Sequence, residues 1–418
     1  MNSSAPAIPE LLAPAGSFEK LATAIHYGAD AVYLSGKKFG LRAKAANFDE
    51  QGISQAVDYA HQRGVKVYVT VNIIAHHDDF QGLDRYLHIL GEAGVDAIIV
   101  SDPGILQVAR SLVPALPIHL STQANVTNSR AASFWVEQGV ARLNLARELN
   151  LAEIAAICEQ VRAEIEVFAH GALCISYSGR CLLSTYMTGR DANRGECAHP
   201  CRYSYALVEE KRPGEYFPVY EDERGTYIFN AKDLCLLNSL PELLAAGVSS
   251  LKIEGRMKSI FYVGGVVRVY RAALDYLRQI DPALWSRPQN IEMPAPFLEE
   301  IEKTGTRGMS LNFAHQKPGP GDMLYDSSRV DQGYEPVAVV RGNSRAEVEV
   351  ELRNVCRQGE AVEYMGPGIE VRRFQVAAMR EADGSEVSRG NPGDRLYWQL
   401  REPGGDFLVN AIFRRKKS

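Results

Sequence analysis

The chain has 418 residues, of which 46% are hydrophobic and 23% charged, so a sizeable core spread over two or three domains is expected. A net charge of −5 excludes a nonspecific nucleic-acid coat, which needs an excess of phosphate-neutralising Lys and Arg. No segment reaches the roughly 18 consecutive apolar residues of a membrane span, MNSSAPAIPELLAPAG lacks the basic and apolar regions of a leader, and the seven Cys are clustered rather than spread as a disulfide framework, so a reducing, cytoplasmic setting is expected.

From residue 8 to about 280 one unit recurs, a short apolar run, a loop and a segment of helical period. The eight runs are PELLAPAG, AVYLSG, VKVYVTVN, DAIIVSD, LPIHLSTQA, RLNLAR, IEVFAHGA and SSLKIEG. SFEKLATAIHYG, FDEQGISQAVDYAHQRG, FQGLDRYLHILGEAG, PGILQVARSLV, SRAASFWVEQG, NLAEIAAICEQV, KDLCLLNSLPELLAAG and YVGGVVRVYRAALDYLRQ read as the helices between and after them. Gly28, Gly64, Gly94, Gly139 and Gly247 sit where left-handed helix C-caps belong. Continuous apolar strands separated by helices mean a parallel sheet covered on both faces, and eight in succession predict a closed (β/α)8 TIM-like barrel over residues 1–290. In that fold the loops after the strands carry function. The polar strand ends Ser35, Asn72, Ser101, Asp102, Gln123, Arg147, His170, Glu254 and Arg256 are therefore expected at one mouth, although Asp102 before Pro103 also reads as a simple helix cap.

The seventh loop, residues 172–230, far exceeds the usual connection of about two to six residues. It holds Cys174, Cys181, Cys197 and Cys201 in the spacing Cx6C, x15, Cx3C. Thiolates gathered so closely repel one another and oxidise unless a metal takes up their charge, and all-Cys sites suit zinc or iron–sulfur clusters. Barrel geometry puts that centre over the mouth. The loop is also basic, with Arg180, Arg190, Arg194 and Arg202, which reads either as a docking face for RNA or as a solvated surface.

Residues 291–332 are rich in Pro and Gly and read as a connector. From 333 to 418 the pattern changes to period two, with Val348, Val350 and Leu352 alternating with Glu347, Glu349 and Glu351, which predicts a small antiparallel β-barrel. Arg414, Arg415, Lys416 and Lys417 form a basic end that could assist RNA docking.

The runs VFAHGALCISYSGRCLLS, RDANRGECAHPCR and KDLCLL, then GVSSLKIEGRMKS, together with SDPGI and IHLSTQANVTN, resemble the collagenase-like peptidase superfamily, peptidase family U32, over essentially residues 8–280. The stretches CRYSYALVEEKRPGEY and DERGTYIFNAKDL look most like a tRNA-hydroxylating branch of it. That resemblance implies a four-iron four-sulfur (4Fe-4S) cluster on Cys174, Cys181, Cys197 and Cys201, and conversion of the wobble uridine of the tRNA anticodon loop to 5-hydroxyuridine with prephenate in place of molecular oxygen. Cys235 stays open as an alternative fourth ligand, although it reads as an apolar position of a helix, and structural zinc stays open as the alternative metal. Prephenate carries two carboxylates, for which fixed cations are suited. Arg42, Lys44, Arg147, Arg256 and Lys258 are the candidates, with Asn72 and Gln123 as polar contacts and His170 and Glu254 as proton-transfer groups. Neither a GxSxG elbow nor an HExxH helix is present, which leaves proteolysis as the runner-up and a noncatalytic RNA-binding factor as a third reading.

Overall fold

The computed structural model describes residues 5–41, 47–172, 178, 180–181, 183–200, 232–305, 308–316, 332–343, 347–401 and 406–417, and the backbone of four short strands between 207 and 227. Seven strands alternate with helices: β1 (Glu10–Pro14), α1 (Phe18–His26), β2 (Ala31–Ser35), α2 (Glu50–His61), β3 (Lys66–Val71), α3 (Leu83–Glu92), β4 (Ala97–Val100), α4 (Pro103–Leu112), β5 (Ile118–Leu120), α5 (Ser129–Glu137), β6 (Arg142–Asn144), α6 (Leu151–Gln160) and β7 (Glu164–Gly171). An eighth strand, Ser250–Ile253, pairs in parallel with both β7 and β1 and closes the barrel. A long helix, Ile260–Leu277, follows it.

Local chemistry fixes these elements. Ser17, Asp49, Asp102, Asn128, Asn150 and Ser259 each accept a backbone N–H at a helix N-terminus, removing donors that the helix itself leaves unpaired. The five glycines expected as C-caps all take positive φ, from 70° to 97°, a conformation that costs Gly little. Apolar strand residues pack outward against the helices, whereas the barrel interior mixes Leu12, Tyr33, Tyr68 and Ile99 with charge. There Arg142 Nη1 donates to Glu10 Oε1 (2.5 Å), Arg142 Nε to Glu164 Oε2 (2.6 Å), and Lys252 Nζ to Glu166 Oε1 (2.8 Å).

Two expectations need correction. The segment KDLC is a strand, Asp233–Cys235, rather than the start of a helix, and it runs antiparallel to the end of β7 with Cys235 opposite His170. A short apolar run of this length cannot be told from a helix by periodicity alone. Residues 291–332 do more than connect: Ala295–Glu302 is a helix whose Phe297 ring lies 6.0 Å from that of Tyr276, and Met309–Ser310 pairs with Asp233–Leu234.

The C-terminal module is a closed six-stranded antiparallel barrel made of Tyr334–Asn343, Val348–Leu352, Arg395–Arg401, Val371–Arg380, Ala361–Met365 and Ile412–Lys416, in that spatial order. It is pinned to the larger barrel. Tyr27 Oη donates to Met365 O (2.6 Å) and accepts from Ile412 N (3.0 Å), and Arg268 reaches the carbonyls of Gly368, Ile369 and Glu370. Arg414, expected in a basic tail, is instead fully buried between Glu300 and Glu363, because its strand runs through the domain junction. Arg415 is paired with Glu335 and Glu360. No helix among the described residues is long and apolar enough to cross a membrane.

Candidate active site at the barrel mouth

At the C-terminal ends of the barrel strands lies a cavity of about 170 Å³. The strands supply Asn72, Gln123, Arg147, Glu254 and Arg256 to its wall, and the seventh-loop insertion supplies Cys181, Cys197 and His199. The polar residues form a connected set. Asn72 Nδ2 donates to Gln123 Oε1 (3.0 Å) and Ser121 Oγ (3.2 Å), and Asn72 Oδ1 accepts from Leu41 N (3.3 Å). Tyr33 Oη donates to Glu254 Oε2 (3.0 Å). Arg256 is 4% exposed and reaches Thr70 Oγ1 (3.4 Å) and the Leu41 carbonyl. Arg147 lies over the Phe168 ring (4.7 Å) and donates to Ala172 O (3.3 Å), so it is not spent on the adjacent Glu148, whose carboxylate accepts from Ser178 N and Oγ.

Two glycines let this wall close. A Cβ on Gly16 would stand 2.1 Å from Arg256 O, and one on Gly171, at φ +118°, would stand 2.4 Å from Glu254 O. Both distances are impossible for a side-chain carbon, so the loops bearing Arg256 and Glu254 approach only because these positions are bare.

The insertion is tied down at several points. Arg180 Nε donates to Gln123 O (2.9 Å). Arg194 grips Asp79 with two bonds of 2.6 and 2.7 Å. Asn193 brackets Cys181, accepting from its N–H and donating to its carbonyl, both at 3.1 Å, and its own carbonyl accepts from Ile74 N (3.3 Å). Arg190 donates to the carbonyls of Glu196 (3.0 Å) and Cys197 (3.3 Å). Of the four arginines expected to meet RNA, Arg180 and Arg194 thus hold the insertion on the mouth and Arg190 bonds carbonyls within the insertion. Arg202 lies outside the described residues, as do Arg42, Lys44, Cys174 and Cys201.

His170 is not at the mouth. The pairing of β7 with the eighth strand shifts between Lys252 and Ile253, so that Lys252 opposes Phe168 while Ile253 opposes His170, and the extra residue reverses which side the next side chain faces. His170 is 1% exposed and its ring packs against Tyr262 (6.0 Å) and Tyr270 (5.5 Å) of the long helix. Burial lowers its pKa to about 4, with Asp233 opposing and Lys258 adding to the shift. Lys258 points the same way, its Nζ 3.8 Å from the buried Asp233 Oδ2 and 4.8 Å from the centre of the Tyr262 ring, and it does not line the cavity. Ser35 bonds its neighbour's carbonyl and Asp102 caps α4.

Two of the four expected cysteine ligands lie at the cavity, and among the described residues no group of three or more His, Cys, Asp or Glu is placed to hold a metal ion. Cys181 and Cys197 face one space, and Cys197 Sγ accepts the His199 backbone N–H at 3.4 Å, the kind of N–H donation that steadies a thiolate bound to a metal. Cys235 is elsewhere: its Sγ lies 3.9 Å from Tyr270 Oη in the helix layer, and burial raises its thiol pKa.

One contributor had escaped notice in the sequence. Lys252 lines the cavity below Glu254 and Arg256, and the alternation KIEGR, with charges at every second residue, is the signal that marks all three as inward-facing. Asn144 and Ser121 line it as well.

Comparison with known proteins accords with this architecture. The family model described as Peptidase family U32 matches residues 16–324, and that of the Peptidase family U32 C-terminal domain matches residues 332–409. The chain is 41% identical to tRNA hydroxylation protein P1 of Bacillus subtilis, covering 91% of this chain and 88% of that one. It is 36% identical to tRNA hydroxylation protein P of Escherichia coli, covering 98% and 97%. A third relative, 23S rRNA 5-hydroxycytidine C2501 synthase of Escherichia coli, is 38% identical over 74% of this chain and 46% of its own length. With both of its domains matched, the chain belongs to peptidase family U32.

Proposed function

We propose that this protein hydroxylates RNA, converting the wobble uridine of tRNA to 5-hydroxyuridine at the mouth of the (β/α)8 barrel. The observation that carries the reading is the meeting of Cys181 and Cys197 with Arg147, Glu254 and Arg256 around one cavity, in a chain whose near full-length relatives bear the name tRNA hydroxylation protein. A 4Fe-4S cluster on Cys174, Cys181, Cys197 and Cys201 would supply one-electron transfer there. Arg147 and Arg256 offer forked donors to the carboxylates of prephenate, the proposed co-substrate. Glu254, held by Tyr33, is the group placed to move a proton. The Asn72 and Gln123 amides provide an edge for the base, which a single-stranded anticodon loop can splay into a pocket. Such a substrate implies work in the cytoplasm.

The test is the modification itself. Deleting the gene should remove 5-hydroxyuridine and its derivatives from tRNA hydrolysates, wild-type protein should restore them and Cys181→Ala should not. Blocking prephenate synthesis should mimic the deletion. Unchanged 5-hydroxyuridine in the deletion strain would overturn the proposal, as would stoichiometric zinc without iron or sulfide in anaerobically purified protein for its cofactor.

A further inference from the structure

The eighth strand carries a charged side chain into the barrel one pleat below Glu254, about 7 Å deeper at the usual rise per residue. Lys252 is 4% exposed, yet it lines the cavity. Its ammonium has three donors, and among the described residues it meets one acceptor, Glu166 Oε1 at 2.8 Å. Its other neighbours are aromatic faces, Tyr33 at 4.6 Å and Phe168 at 5.5 Å from ring centre to Nζ. Ring faces satisfy charge only in part and hold the stem upright.

A buried ammonium with two unused N–H groups facing a cavity requires acceptors there. Glu166 meets Lys252 through Oε1 alone, which also accepts from Asn144 Nδ2 at 2.8 Å, while its Oε2 faces Arg142 at 3.6 Å and makes no hydrogen bond among the described residues. Higher in the cavity, Glu254 is drawn to Tyr33. Among the described residues, the inner wall therefore presents Lys252 on the eighth strand and Arg256 just beyond its end, with Arg147, against one lining carboxylate, that of Glu254.

We propose that Lys252 is the deep anchor of the pocket, binding one carboxylate of a small organic acid beneath the RNA base, with Glu166 holding the ammonium in place. A neutral base carbonyl would leave the charge poorly compensated in this enclosed space, whereas a carboxylate matches both its sign and its two free donors. Paired with Glu166 at 2.8 Å, Lys252 acts in this assignment as a positive charge and does not attack a keto group. The assignment rests on the hydroxylase reading above and deepens it by naming where the small acid sits.

The probe is prephenate, titrated by calorimetry into anaerobically purified full-length protein carrying its metal centre. Lys252→Met strands Glu166 and could fail to fold, so the decisive variant is Lys252→Met with Glu166→Gln, which removes both charges. Affinity for prephenate should fall about 10- to 100-fold in that variant, the range expected for a lost charged hydrogen bond, while tRNA affinity and the metal spectrum stay as in the wild type. Lys252→Arg should recover part of the loss. Unchanged prephenate affinity in the folded double variant would overturn the assignment, and so would a fall in tRNA affinity alone, which would put the base on the pocket floor. A borohydride-stable adduct of prephenate on wild-type Lys252 would overturn it too, by making the residue a nucleophile. Wild-type protein that neither binds prephenate nor restores 5-hydroxyuridine would overturn the hydroxylase reading itself.

Discussion

Glu254 and His170 are both polar strand ends of the same barrel, yet their surroundings assign them different work. Glu254 lines the cavity with its carboxylate on the Tyr33 hydroxyl, so if it has the proton-transfer role proposed above, removing its charge should stop the reaction without disturbing the proposed metal centre. Glu254→Gln should lower hydroxylation by about 100-fold or more, the usual range for a lost general acid or base, with iron content unchanged. His170→Asn should act through stability alone. Burial keeps the rings of His26 and His170 neutral down to about pH 4 and lowers that of His119 well below its ordinary value. The unfolded chain takes up protons on these rings near pH 6.5, whereas the folded chain does not until far lower, so stability is intact above about pH 6.5 and falls as pH drops toward 4. For His170 the difference amounts to about 3 kcal/mol. Acid titration followed by circular dichroism should show a shallower loss in His170→Asn than in the wild type.

At the scale of elements, the described part of the insertion is held on the barrel by Arg180 on the Gln123 carbonyl, Arg194 on Asp79 and the backbone bond from Ile74 to Asn193. Asn193 links Cys181 to Ile74, in the loop after β3, by three hydrogen bonds; Ala would lose the two that its side-chain amide makes with Cys181 and keep the one from Ile74 N to its backbone carbonyl. Asn193→Ala should cost about 2 kcal/mol of local stability and speed the loss of iron to a chelator, with little change in tRNA affinity. Arg190→Glu should release the metal as well, because Arg190 holds the Cys197 carbonyl. Retained iron in both variants would mean that the cysteines are positioned by other contacts. The eight strands of the barrel were legible because their apolar runs are separated by capped helices at regular distances. The strand Asp233–Cys235 was not, since its partner β7 lies some sixty residues earlier and its pairing leaves no local pattern. The facing of His170 was hidden for a similar reason: period two predicts the mouth, and a single register shift made by tertiary pairing reverses it. The roles of Arg180, Arg190 and Arg194 were equally invisible, because charge composition does not reveal which carbonyl or carboxylate a guanidinium will find.

At the scale of the molecule, the question is where an acidic protein would receive the RNA proposed as its substrate. The large groove between α1, α2 and the small barrel, about 1170 Å³, looks inviting for its arginines, yet Arg341 and Arg353 are both paired with Glu19 and Glu351, and Arg271 with Asp30 and Asp275. It is a joint more than a landing site. The same holds for the chain end. Arg414 and Arg268 are each 0% exposed at their side chains and share Glu300, while Glu363 takes the other side of Arg414. Replacing Arg414 by Met would leave Glu300 and Glu363 short of a buried countercharge, a loss of about 3–5 kcal/mol for breaking such a network. Replacing Glu363 by Gln at the same time should recover a measurable part of that loss, since one stranded carboxylate is then gone. Cutting the chain before residue 333 should therefore aggregate the larger barrel, because it takes the Gly368, Ile369 and Glu370 carbonyls from Arg268, Arg414 from Glu300 and the Met365 carbonyl from the Tyr27 hydroxyl. Chemical denaturation of Arg414→Met and the double variant, beside gel filtration of the truncated chain, measures both. A monomeric, fully stable truncated barrel would mean that the small domain is a removable accessory and that its buried ion pairs serve only to orient it.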